Sequence, residues 1–466
     1  MTLPGRAGVD LHLDVAGTGI RAGLASALRE AIATGRLSPG TRLPASRALA
    51  LDLGIARSSV TECYAELIAE GWLIARQGSG TRVAARPDAP ASTPAPIHPE
   101  PRSIPAATLV PGAANFAEFP RSAWLSAARR ALAVAPHSAF GYGDPQGRPE
   151  LRRALADYLG RVRGVRADPE RIVITAGFAD GLGLMARALH TRGAHTVAAE
   201  AYGLGLYRRV LADAGLAPTS LAVDDAGARI EDLAGPNPPA AVLLTPAHQF
   251  PSGVVLSPER RSAAIAWARG ADAVILEDDY DGEFRYDRRP VGALQGLDPE
   301  RVVYFGTASK SLAPALRIAW MVVPERLMPA VLSARGPMET VSALEQLTLA
   351  EFITSGACDR HVRMRRQSYR RRRDQLVDAL TRSGADVRVS GVAAGLQAVL
   401  ELPAGTERRV LHVARERGVM VSGLSEFRQV SAGDDTRARE GLVVNFSAVS
   451  DAVWESALAE LCRIIP

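Results

Sequence analysis

Between Arg86 and Thr108 the chain reads RPDAPASTPAPIHPEPRSIPAAT, with seven prolines. Proline fixes φ and carries no amide donor, so this stretch can form neither a helix nor a central strand. It divides the 466 residues into a short unit, 1–85, a semi-extended linker, 86–108, and a long unit, 109–466. At 47% hydrophobic and 23% charged residues, the chain has the composition of packed globular domains, which excludes wholesale disorder. No run approaches the ~18 uncharged apolar residues of a membrane-spanning helix. The opening MTLPGRAGVDLHLDV lacks the basic region and apolar run of a secretory signal. Cys63, Cys358 and Cys462 lie far apart without CxxC spacing. That argues against a disulfide framework or a metal site and fits a reducing cytoplasm.

The short unit alternates helical patterns with turns. Leu24, Ala27, Leu28, Ala31 and Ile32 recur at helical spacing. RLPASRALALDLG predicts a second helix, with Pro44 and Ser46 at its start and Gly54 after its end. In ARSSVTECYAELIAEG, Val60, Tyr64, Leu67 and Ile68 share one face of a third, and WLIARQGSGTRVA alternates about a Gly-Ser-Gly turn, as a two-stranded ribbon would. Two helices joined by a turn and followed by a hairpin make a winged helix-turn-helix. The second helix of such a motif presents its N-terminal side chains to the major groove. Here those are Arg57, Ser58 and Ser59, with Thr61 one turn on. Arginine reaches guanine O6 and N7, and hydroxyls reach bases or phosphates. Arg42 and Arg47 suit backbone phosphates, and Gly78-Ser79-Gly80 lets the wing approach a groove, with Gln77 and Arg82 beside it. Charge alone does not decide between DNA and a protein partner, because 1–85 holds nine arginines against seven acids. The run from Gly35 to Val83 resembles, along essentially its whole length, the DNA-binding domain of the GntR family, which implies operator DNA as the partner.

In the long unit, short apolar runs alternate with helix-length segments: RIVIT (171–175), HTVAAE (195–200), AAVLLT (240–245), DAVILE (272–277), VVYFGT (302–307) and RIAWMVV (317–323). This predicts a mainly parallel sheet covered on both faces. From about residue 350 an arginine-rich helix is followed by VRVS, LQAVLEL, VMVS and LVVNF, a smaller α+β subdomain. The densest basic run, RHVRMRRQSYRRRRDQ (360–375), reads as the solvated face of that helix, with a DNA-backbone or subunit contact as the alternative.

Of 55 basic residues only Lys310 is a lysine. One survivor must fall somewhere, but this one follows the strand VVYFG, where open α/β sheets place ligands. Thr307, Ser309 and Ser311 flank it, and Arg317 lies seven residues on. A lysine for a Schiff base, with hydroxyls and an arginine for a phosphate, is the requirement of pyridoxal 5'-phosphate. Upstream, ILEDDYDGEFRY places acids at a strand end. Asp278 there can pair with a pyridine nitrogen, Asp279 less suitably, and Tyr280 can donate to the ring oxygen. In ITAGFADGLGLMARAL the amides of Gly177, Phe178 and Ala179 open a helix and can bind phosphate. His248, in TPAHQFPSG, reads as an ordinary loop histidine.

These pieces, in this order, resemble fold-type I aminotransferases. With the winged helix in front, the chain is similar to the MocR/GabR subfamily of GntR regulators over nearly everything but the linker. Its most specific stretches are EDDYDGEFRY, GTASKSLAPALRIAW and TPAHQFPSG, supported by YGDPQGRPELRRALADYL (142–159). The resemblance implies that Lys310 carries the internal aldimine, Asp278 pairs with the pyridine nitrogen and Tyr280 meets the ring oxygen. It further implies that Arg317, Ser309 and Thr307 help hold the phosphate, and that Tyr142 reaches the cofactor phosphate of the partner in a head-to-tail, domain-swapped homodimer.

Three positions depart from the pattern. The phosphate helix begins Gly177-Phe178-Ala179-Asp180, which adds an acid where the family usually has glutamines. The usual Glu-x-Pro-Gly-Tyr turn appears as Glu200-Ala201-Tyr202-Gly203-Leu204, so either Tyr202 stacks on the ring or that contact is missing; the arginine that follows is matched by Arg208. The late arginine that clamps a substrate carboxylate is replaced by Val443, with Arg437 or Arg439 as substitutes. These features favour a regulator sensing pyridoxal phosphate or an amino-acid-related effector, controlling vitamin B6 or amino-acid metabolism, over a working aminotransferase with an accessory DNA-binding domain. A third reading is a DNA-binding protein whose large unit only dimerises.

Overall fold

A computed structural model describes residues 20–76, 80–85, 107–112, 116–286, 291–337, 340–385, 387–392, 394–429 and 439–465. The chain divides into two compact units, Met1–Arg102 and Ser103–Pro466.

In the first unit, helices α1 (Ile20–Ala33), α2 (Ser46–Leu53) and α3 (Arg57–Ala69) precede strands β1 (Leu73–Arg76) and β2 (Gly80–Val83). The strands pair antiparallel from Leu73 opposite Val83 to Arg76 opposite Gly80. Leu24, Leu28, Leu49, Val60, Leu67, Leu73 and Val83 make the core. Gly54 closes α2 in the left-handed region (φ 66°), its amide returning to the carbonyls of Ala50 and Leu51. One helix face differs from the sequence expectation. Ile68 is exposed, and Cys63, one turn beyond Val60, is buried in its stead. The buried stripe of a helix this short spans i, i+3, i+4 and i+7, and position 68 lies past its edge.

The second unit is built on a seven-stranded sheet. Its spatial order is Ile172–Thr175, Ala319–Val322, Val302–Thr307, Val274–Asp278, Ala241–Leu244, Thr196–Glu200 and Ala217–Leu221. Only Ala319–Val322 runs antiparallel to its neighbours; the other pairings are parallel. Along Val302–Thr307, Val303 and Phe305 pack with the helix Phe178–Thr191, while Val302 and Tyr304 enter clusters on the other face. Six strands coincide with the apolar runs. The seventh, APTSL at 217–221, has no apolar run because it is an edge strand with exposed and half-buried residues.

A four-stranded antiparallel sheet follows, ordered Arg388–Ser390, Gln397–Glu401, Gly441–Asn445 and Ser422–Gly423. The 27-residue helix Ala357–Ser383 leads into it. Arg360, Arg363, Arg366, Arg370 and Arg371 are exposed on that helix. Arg372 is buried, donating to the Phe446 and Val449 carbonyls and to Asp451. The proline-rich stretch ends in order: Ala107–Thr108 pairs in parallel with Val419–Met420. Among the described residues no helix is long and apolar enough to cross a membrane.

Candidate ligand cavity and nucleic-acid interface

Parallel strands expose their C-terminal ends on one side of a sheet, and loops leaving them converge there. Asp278 ends one central strand, and Lys310 lies three residues beyond the end of its neighbour, in which Phe305 sits opposite Asp278. One cavity brings together Asp278, Tyr280, Ser309 and Lys310 with Glu200, Tyr202, Tyr207 and Arg208. Asp278 is almost fully buried, and burial, then the charges of Asp279 and Asp281, hold its carboxyl well above the usual range. Burial lowers the Lys310 amine, against the pull of Asp281 and Asp278. A less basic lysine is a better nucleophile toward a carbonyl.

The two aspartates have separate environments. Asp279 receives Arg163 through Nε at 2.6 Å and Nη2 at 2.9 Å, and the Tyr304 hydroxyl at 2.8 Å. It is locked in an ion pair away from the cavity, whereas Asp278 lines it.

At the start of the helix Phe178–Thr191, Gly177 has φ 103° and no side chain caps the helix. A Cβ on Gly177 would stand 3.3 Å from the Arg317 guanidinium, so the glycine leaves room for that cation beside the free amides. The Phe178 ring turns away to pack against Tyr207 (centroids 4.6 Å) and Phe305 (5.2 Å), leaving its backbone amide for a ligand. Ala179 is half-buried in the same turn. The Asp180 carboxylate accepts from the Ala176 amide at 2.9 Å, which offsets the charge it adds there. Thr307 Oγ1 donates to Ser309 Oγ at 3.0 Å and accepts from the Ser309 amide at 3.1 Å. Tyr142 is 99% exposed and belongs to no part of this cavity wall.

These donors fit a phosphorylated pyridine aldehyde: an amine for the carbonyl, a buried acid for the ring nitrogen, a phenol for the ring oxygen, and a glycine-opened helix end with an arginine for the phosphate.

The carboxylate-clamp position is apolar. Val443 is buried with Leu424, Phe427 and Val399, against which Tyr202, Leu204 and Phe250 pack. Arg439 is committed to Glu401 at 2.7 Å and Asp225 at 3.3 Å. Arg437 lies outside the described residues. Arg208, also in the wall, makes only 3.4 Å contacts with the carbonyls of Gly203 and Phe427, and burial lowers its pKa.

Sequence reasoning missed several wall residues. Tyr207 stands near enough to Asp278 for that charge to raise its phenol, after burial. Glu200 is buried, accepts from Thr245 Oγ1 at 2.5 Å and Gln249 Nε2 at 3.2 Å, and is pushed up to about 7 by burial. Gln397 and Asn445 are buried polar residues within apolar strands. Their type was the available signal, since LQAVLEL and LVVNF each place one amide among hydrophobic residues. His248 is no loop-surface histidine: it is buried beside Tyr280 and Asp281.

In the first unit, Arg57 and Ser58 are exposed at the start of α3, Ser59 is half-buried, and Thr61 is exposed with its hydroxyl donated to the Arg57 carbonyl at 2.9 Å. Thr61 therefore offers a ligand its lone pairs and methyl group. Arg42 and Arg47 are exposed. Arg42 lies over Gly80, where a Cβ would come within 3.2 Å of its Nε, and Arg82 donates to the Gly40 carbonyl at 2.8 Å. Gln77, Gly78 and Ser79, the wing tip, lie outside the described residues.

Comparison with known families matches residues 21–83 to bacterial regulatory proteins of the gntR family and residues 112–461 to aminotransferases of class I and II. The chain belongs to the MocR/GabR-like class of GntR-family transcriptional regulators, in which a winged helix-turn-helix is fused to an aminotransferase-like domain of fold type I. It is 33% identical over 95% of its length, and 95% of the relative's, to the HTH-type pyridoxine biosynthesis transcriptional regulator PdxR of Corynebacterium glutamicum. It is 35% identical, over 85% of each chain, to the probable rhizopine catabolism regulatory protein MocR of Rhizobium meliloti. The fold of an archaeal alanine:glyoxylate aminotransferase superposes with a TM-score of 0.69 at 24% identity, covering 78% of this chain and 91% of that one.

Proposed function

We propose that this regulator responds to pyridoxal 5'-phosphate held at Lys310 and binds operator DNA through α3. The observation that carries the reading is the pairing of a complete aldehyde-binding set with an apolar clamp position: Lys310, Asp278 and Tyr280 line one cavity, while Val443 is packed among Phe427, Leu424 and Phe250. Bound there, the cofactor would supply an electron sink. The chain's residues would orient it, with Asp278 holding the ring nitrogen proton and Arg317, Ser309, Thr307 and the 177–179 amides holding the phosphate. An amino-acid substrate would lack the bidentate partner that fixes its carboxylate, so the cavity suits sensing better than turnover.

Control of vitamin B6 genes follows from the likeness to the Corynebacterium regulator of pyridoxine biosynthesis. A homodimer is supported by exposed apolar side chains close in sequence: Leu125, Leu132, Val134, Phe140 and Tyr142. Occupancy of the cavity would act on DNA through its different affinity for two arrangements of the dimer.

A second reading, an amino-acid effector or residual transamination, is favoured by Arg208. It is a cation in the cavity wall with carbonyl contacts at 3.4 Å and none to a carboxylate.

Adding pyridoxal phosphate to the purified chain should produce a visible absorption band in the parent and none in Lys310→Ala, because the chain has no other lysine. Absence of the band in both rejects the cofactor. Turnover of amino donors with a keto acid would move the conclusion to the second reading.

A further inference from the structure

Behind Tyr280 lies a polar group that the cofactor assignment does not use. Its hydroxyl oxygen has Gln397 Nε2 at 3.2 Å and His248 Nδ1 at 3.0 Å. The same Nδ1 is 2.9 Å from Asp281 Oδ2. All four side chains are buried, so each proton must have a defined place.

The protons can be assigned. An ionised carboxylate only accepts, so Asp281 places a hydrogen on His248 Nδ1. The other ring nitrogen, Nε2, is buried with no hydrogen-bond partner. A hydrogen there would be a buried donor left unmade, which costs more than an unused lone pair. His248 is therefore the Nδ1–H tautomer and cannot accept from Tyr280. The Gln397 amide nitrogen cannot accept either. Both close neighbours of the phenol oxygen are donors, and the phenol's own hydrogen is left for the cavity.

The backbone makes room for this group. Gly395 has φ +74°, and a Cβ on it would come within 2.6 Å of Asp281 Oδ2 and closer still to the His248 ring. Gly395 precedes the strand that carries Gln397, so one segment both clears the space and supplies a donor. The groups facing Tyr280 are Asp278 and Asp281 from its own segment, Glu200 and Lys310 from neighbouring strand ends, and His248. Burial and the three carboxylates keep the phenol protonated.

We infer that Gln397 and the His248–Asp281 pair are positioning residues that commit Tyr280 as a one-way hydrogen-bond donor to an anionic oxygen on the cavity ligand. This rests on the pyridoxal phosphate reading, in which that oxygen is the ring phenolate. His248 and Gln397 then act on the ligand only through the tyrosine.

The test is a double-mutant cycle on the full chain loaded with pyridoxal phosphate, read as the pH midpoint of its visible band. A donor to the phenolate competes with the neighbouring nitrogen proton, so Tyr280→Phe should raise the midpoint by about one pH unit. Gln397→Leu should raise it by a smaller amount, and Gln397→Glu, which offers an acceptor for the phenol hydrogen, by about as much as Tyr280→Phe. In the Tyr280→Phe background both Gln397 substitutions should add nothing, and His248→Asn should likewise lose its effect there. Equal shifts in the two backgrounds would overturn the inference while leaving the cofactor reading intact. A parent without a visible band would overturn both.

Discussion

The start of α3 and the cavity around Lys310 both serve as binding surfaces, on opposite physical terms. At α3 the chemistry is exposed: Arg57, Ser58, Arg42 and Arg47 face solvent. In the cavity it is hidden: Asp278, Tyr280, His248 and Glu200 are all less than 9% exposed. A DNA backbone is a polymer of fixed charges, and arginines in water suffice to neutralise it by releasing counterions. A small aldehyde offers few contacts, so its site must strengthen each one by excluding water. Substitutions in the cavity should therefore cost more, and depend less on salt, than those on the helix.

The largest effect should come from Asp278→Asn. It removes the acid facing the ring nitrogen, at a cost of ~3 kcal/mol, or about a hundredfold in affinity for pyridoxal phosphate by absorbance titration. Operator binding without cofactor should stay unchanged; a variant that binds the cofactor normally would contradict the assigned role.

Glu200 makes the next test. Its carboxyl lies at about 7 in the fold against an ordinary 4.5, so the folded chain holds an extra proton between those values. Stability should fall as pH rises from about 4.5 through about 7. Glu200→Gln should flatten this dependence, shrinking the stability difference between ~pH 5 and ~pH 8 by on the order of 2–3 kcal/mol, at ~1.4 kcal/mol per pH unit. Urea titrations at the two pH values would show it, and an unchanged slope would mean that burial does not control this acid.

On the helix, Arg57→Ala should weaken operator binding by ~1–3 kcal/mol and relax the preference at one base position. Unchanged affinity would move the recognition surface elsewhere. Arg42→Ala should be the mildest, weakening all sequences alike and reducing the salt slope by about one. Loss of sequence preference in that variant would blur the distinction between base and backbone contacts.

The two regions also differed in legibility. The helix-turn-helix is a local object, and its spacing gave α2, Gly54 and α3 directly; only the last buried position of α3, Cys63 in place of Ile68, needed packing to decide. The cavity is assembled from residues far apart in sequence. Lys310, Asp278 and Tyr280 stood out because strand ends in an α/β sheet collect ligands, and they share one cavity. Gln397 reaches Tyr280 across 117 positions. Nothing local predicts that meeting, because register within the small sheet sets which side chain faces the cavity. His248 was misread for a related reason. A histidine in a Pro- and Gly-containing loop looks solvated until Gly253 and Gly395 are seen to leave space for it. The edge strand at 217–221 escaped because its pairing lies in backbone hydrogen bonds and its side chains carry little apolar pattern.

The central claim is that the cavity and α3 are coupled, and operator affinity with and without pyridoxal phosphate measures it directly. With DNA from upstream of the chain's own gene, saturating cofactor should change affinity by ~5–150-fold, the range of an ordinary coupling energy. Lys310→Ala should bind DNA at one affinity whether or not cofactor is present. A parent that forms the visible band and yet binds its operator identically in both conditions would contradict the account.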